Sequence, residues 1–159
     1  MGLDNIPHPH PCEKTGAAVK DKDGKIDCLK VIENGGCTFN TSKHPTGILG
    51  SFCWFRGGAL ARELDAIGYP DTGFLYETLT PKALKTKADE LESFLERFKQ
   101  AHETDNDSVT GAGWNGILTT QGIQYQHHSN YDEIIETINH GIEWFRRIAE
   151  YDCEVKAWY

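Results

Sequence analysis

Four of the five cysteines, Cys12, Cys28, Cys37 and Cys53, fall in the first third of the chain, and Cys153 lies far beyond them. Thiolates are the soft ligands that a tetrahedral zinc site needs, and four of them close its shell. In a reducing compartment clustered thiols point to metal more than to disulfides. The intervals hold 15, 8 and 15 residues, unlike the paired CxxC knuckles of a zinc ribbon. Zinc on all four thiolates is the expectation, with reduced thiols packed as small core residues the alternative and disulfides a third. His8 and His10 precede Cys12 by four and two residues and would suit a mixed site. The competing account of this His-Pro-His-Pro segment is a mobile terminal arm, and it is the preferred one.

A second constellation is Cys53-Trp54-Phe55-Arg56-Gly57-Gly58. Two glycines at a helix start leave backbone N–H groups uncovered, and the helix dipole adds positive potential. Arg56 beside them can hold a carboxylate or phosphate bidentately. Trp54 would supply a stacking face. The bland account makes Trp54 and Phe55 core, pairs Arg56 with a local carboxylate and leaves the glycines to turn the chain. Trp114, within Gly111-Ala112-Gly113-Trp114-Asn115-Gly116, reads as a contact loop; it lacks the Gly-Lys-Ser/Thr of a phosphate-binding Walker motif. His127, His128 and His140 belong to no HExxH, GxSxG or Cys-His catalytic signature.

These residues need elements to hold them. Pro7, Pro9 and Pro11 predict an extended, polyproline-like entry with no backbone ladder. Asp23-Gly24 predicts a hairpin turn between short strands at 17–19 and 26–32, and Asn34-Gly35-Gly36 a second turn that delivers Cys37. Gly57-Gly58 opens a short helix over about 59–67, closed by Gly68 and Pro70. Thr80-Pro81 is a helix start, with Thr as N-cap and Pro at the first helical position. From there Leu84, Ala88, Leu91, Leu95 and Phe98 recur in steps of four and three through about Ala101. Residues 104–130 read as loop, with a short strand within 117–125. A second long helix runs from about Ser129 to Tyr151 on Tyr131, Ile135, Ile138, Ile142, Phe145 and Ala149. Residues 153–159 alternate in polarity and predict a terminal strand. The fold class is α+β: an irregular Cys-bearing module with short strands, plus two longer amphipathic helices packed together or on a small sheet.

A chain of 159 residues with 38% apolar and 25% charged residues is the size and composition of one domain. We expect a single domain over 1–159, with a Cys-bearing part at 1–58 and a mainly helical part at 59–159. The formal charge of −8 is uneven: residues 54–159 hold ten basic against eighteen acidic residues, while 1–53 are neutral. Phosphate backbones are gripped by Lys and Arg, so direct nucleic-acid binding is not expected. An acidic surface suits a basic protein partner, or simple solubility. No stretch nears the ~20 apolar residues of a membrane span. No secretory leader is visible, and Ile6 stands where a myristoylation signal takes Ser or Thr, so the expected compartment is the cytoplasm.

Residues 1–58 combine Met1-Gly2-Leu3-Asp4-Asn5-Ile6-Pro7, Pro11-Cys12, Ile26-Asp27-Cys28, Gly35-Gly36-Cys37 and Cys53-Trp54-Phe55-Arg56-Gly57. This part resembles small proteins of no assigned activity encoded by bacteriophage genomes. The resemblance implies a virus-encoded protein working in the host cytoplasm; it brings no catalytic residue. The expected function is a non-catalytic binding protein directed at a host or defence component, with a structural zinc site. The alternative is a small enzyme or sponge that takes a phosphorylated metabolite or nucleotide at Arg56-Gly57-Gly58, and a virion component is a third class.

Overall fold

Thr80 begins the longest element as its sequence dictates: the Thr80 hydroxyl accepts from the Ala83 N–H at 3.2 Å, and its carbonyl from the Leu84 N–H at 2.9 Å. The structure, a computed structural model, describes residues 2–36, 54–104 and 131–159. In chain order these form β1 (Asp4–His8), α1 (Pro11–Thr15), α2 (Cys28–Glu33), α3 (Gly57–Ala66), a 3-10 turn (Gly73–Tyr76), α4 (Pro81–Thr104), α5 (Tyr131–Glu150) and β2 (Glu154–Trp158). The class is α+β. The strand expected within 117–125 lies outside the described residues.

Helices α4 and α5 pack along each other, as their apolar seams require. Leu84, Ala88, Leu91, Leu95 and Phe98 of α4 are all buried. The buried stripe of α5 runs through Ile134, Ile138, Phe145 and Ile148 and is wider than the expected seam, because α3 covers a second side. Gly141 permits that second contact: a Cβ there would sit 3.0 Å from Leu60 of α3. Trp144 is buried for the same reason, stacked on Phe55 with ring centroids 4.9 Å apart. On the wet side, Arg146 forks onto Glu92 at 3.1 and 2.8 Å and reaches Asp89 at 2.9 Å, tying α5 to α4.

The two ends of the chain pair with each other. β1 and β2 run antiparallel, with Asn5 opposite Ala157 and Pro7 opposite Val155. Single-residue bridges extend this ribbon on both sides, Phe55 to Asn5 and Leu79 to Val155. The expectation of an N-terminal segment without a ladder is thus overturned. Proline is tolerated in a strand where its missing N–H is not needed, and Leu3, Asn5 and Pro7 turn inward on alternate residues to bury one face.

Residues 11–36 depart from the sequence expectation further: no strand forms at 17–19, where only the single bridge of Lys20 to Ile26 stands, and 11–15 form α1 in place of extended chain. The Asp23-Gly24 turn is present, with the Asp21 carboxylate accepting from the Asp23 and Lys25 N–H groups and Lys20 bridged to Ile26. The segment after it is the helix α2 instead of a strand. Asp27 caps it, its carboxylate accepting from the Lys30 N–H at 3.1 Å. A local cap outweighs the β-branched content of Cys28-Leu29-Lys30-Val31-Ile32. No described helix is long and apolar enough to cross a membrane.

Candidate functional site

His10 joins the two N-terminal helices, through the Cys12 backbone on one side and the Cys28 sulfur on the other. It follows β1 directly and caps α1. Its Nδ1 accepts from the Cys12 backbone N–H at 3.2 Å, while the His10 backbone N–H donates to the Glu13 carboxylate at 2.9 Å, a reciprocal capping box. The other ring nitrogen, Nε2, lies 3.6 Å from the Sγ of Cys28 at the start of α2. Cys12 is buried and Cys28 half-buried. The ring is therefore held between the backbone amide of Cys12 and the sulfur of Cys28. Burial lowers the His10 pKa from its ordinary value, opposed by the charge of Glu13, so the imidazole favours its neutral form.

Gly36, one position before Cys37, lies against Ala17 and Val31 and closes this module; a Cβ on it would approach Ala17 to 2.8 Å. Cys37 and Cys53 are outside the described residues, and so are Trp114, His127 and His128. Among the described residues no group of three or more His, Cys, Asp or Glu side chains is gathered as a metal site. His8 ends β1 opposite Glu154, exposed, while His10 caps α1 and Pro11 begins it, so the His-Pro-His-Pro segment is tied into the fold at both ends and is not a mobile arm. Cys153, by contrast, is fully buried next to β2, and burial raises its thiol pKa.

The helix start at Arg56-Gly57-Gly58 differs from the expected anion cradle. The Gly57 N–H donates to the Phe55 carbonyl at 3.0 Å and the Gly58 N–H to the Leu3 carbonyl at 3.2 Å. Those donors are already spent, so no open amides await a ligand. What remains is a cleft of about 420 Å³ lined by Arg56 and Arg62, with Gly2, Leu3, Asp4 and Gly58 among its other walls. The Arg56 side chain is exposed and makes no ion pair among the described residues. Phe55 is core, as the bland account held, whereas Trp54 is exposed and does not line the cleft.

Sequence reasoning missed Asn5, which is fully buried and polar. Its Nδ2 donates to the Leu75 carbonyl at 2.7 Å, and its backbone exchanges hydrogen bonds with Phe55 at 2.8 and 3.0 Å. It thereby joins β1, the start of α3 and the 3-10 turn. The signal in the sequence was slight: an Asn alternating with Leu3 and Pro7, followed far along by a glycine pair.

Comparison with protein-family models, with curated proteins and with solved structures finds no match.

Proposed function

We propose that this chain is a non-catalytic binding protein, with an N-terminal module held by a structural zinc ion on Cys12, Cys28, Cys37 and Cys53. Its helical part meets a protein partner. One observation carries the metal half of this reading: the Cys28 sulfur lies 3.6 Å from the ring of His10, and the same ring caps the helix that carries the buried Cys12. Soft thiolates gathered in one small, strand-poor module supply what a structural zinc site uses, and such binding is itself folding energy. The excess of acidic residues over 54–159 supports a basic partner surface. The resemblance to phage-encoded proteins supports a bacterial host or defence component as that partner.

Elemental analysis of purified protein, combined with thiol counting, tests the metal. The expected result is zinc near one per chain, with no thiol reactive in the native state; a metal-free preparation with Cys12 and Cys28 freely alkylated overturns it. Affinity capture from bacterial lysate tests the partner, and a stoichiometric protein that resists washing is expected.

A second reading, a binder of a phosphorylated metabolite, is favoured by the two arginines on one cleft. Calorimetric titration with ADP and inorganic pyrophosphate distinguishes it: heat that disappears in Arg56→Ala supports this reading, and no heat from either compound sinks it.

A further inference from the structure

The contact between His10 and Cys28 specifies where the imidazole proton sits. A neutral imidazole carries one proton, so one ring nitrogen donates and the other accepts. The Cys12 backbone N–H is an obligatory donor and faces Nδ1 at 3.2 Å. Turning the ring over would set carbon atoms against both the Cys12 N–H and the Cys28 sulfur, so the ring keeps this orientation. Nδ1 is therefore the accepting nitrogen, and the proton lies on Nε2, facing the Cys28 sulfur at 3.6 Å. Distance alone would not decide the role, since a nitrogen and a sulfur bound to one tetrahedral zinc stand about 3.5 Å apart. The proton does decide it: a nitrogen that carries one has no lone pair to give a metal.

We infer that His10 is an N–H donor to the Cys28 sulfur, a positioning residue for the thiol site and not one of its metal ligands. The N–H···S bond fixes the direction in which Cys28 presents its sulfur and offsets part of a thiolate's charge. Partners of this kind behind a metal ligand are worth about 10–100-fold in metal affinity. Only this affinity consequence rests on the zinc reading; the placement of the proton does not.

Side-chain ¹H–¹⁵N correlation spectra of the wild-type protein, zinc-loaded and metal-free, test the inference, with His10 assigned by its loss in His10→Gln. Nε2 protonated and Nδ1 bare in both states is the expected result. Nδ1 protonated, with Nε2 bare or shifted by metal, overturns it. If the chain takes up no zinc, the metal-free spectrum still decides the tautomer, so failure of the functional reading is told apart from failure of this one. Chelator competition adds an independent arm. Gln retains both an acceptor for the cap and an N–H for the sulfur, so His10→Gln should hold zinc more tightly than His10→Ala, which loses about 10–100-fold. Equal losses in both variants, larger than that, would mark His10 as a ligand.

Discussion

The Asn5 side chain occupies the space that a Cβ on Gly57 would need: such an atom would overlap Asn5 Oδ1 and press on Leu3 at 3.2 Å. The two positions are therefore a matched pair, the buried amide of β1 set against the first residue of α3. Gly57→Ala should cost about 1–3 kcal/mol, the usual toll of overpacking a filled interior. Asn5→Ala should cost about 1–3 kcal/mol by leaving the Leu75 carbonyl buried without its donor. In the double variant the new methyl enters the vacated space, so urea denaturation should show a total smaller than the two single losses added together. Strict additivity would refute the steric relationship.

Gly58, its neighbour, is a different case. A Cβ there meets nothing nearer than Leu3 at 3.7 Å, ordinary contact distance. Alanine is the better helix former by up to about 1 kcal/mol. Gly58→Ala should hence leave thermal stability unchanged or raise it, while Gly57→Ala lowers it. Similar destabilisation by both would contradict this assignment.

The fork from Arg146 holds the Glu92 carboxyl below its ordinary value of 4.5. A carboxylate whose folded pKa is depressed contributes its stabilisation above the unfolded value and loses it as pH falls through the folded one. Glu92→Gln should therefore be less stable than wild type at neutral pH, and the gap should close as pH falls below about 4.5. It should also shrink in high salt, because the pair is exposed. Denaturation midpoints across that pH range provide the check.

Thiol reactivity should divide by environment. Burial raises the Cys153 pKa, so less of it is thiolate at any given pH, and the residue is fully buried. It should resist alkylation until the protein unfolds, with Cys153 labelling tracking the denaturation curve. Cys28→Ser should release the zinc and lower the melting temperature together, since metal binding and folding are coupled. Retained zinc in that variant would remove Cys28 from the ligand set.

The three longer helices were legible because their causes are local, whereas the short α1 and α2 were not. Thr80-Pro81 and the four-and-three spacing of Leu84 to Phe98 determine α4 by capping and periodicity, whatever it packs on. Periodicity does the same for α5 and for the alternating residues of β2. What the sequence could not supply was partnership. That Asn5 would face Gly57, or Asp4–His8 would pair with Glu154–Trp158, depends on segments separated by most of the chain. Their contact is decided by burial of a common core, not by neighbouring residues. Pro7 of β1 was read for its missing N–H group, whereas the ladder needed only the remaining donors and the buried alternate face. The glycine pair was read as an open cradle because sequence shows which amides exist and not which carbonyls reach them; the carbonyls of Leu3 and Phe55 do so only in the tertiary fold. Clustered thiols could be counted from the chain alone. That the Nε2 of His10 faces the Cys28 sulfur is a matter of two helices held at a fixed distance.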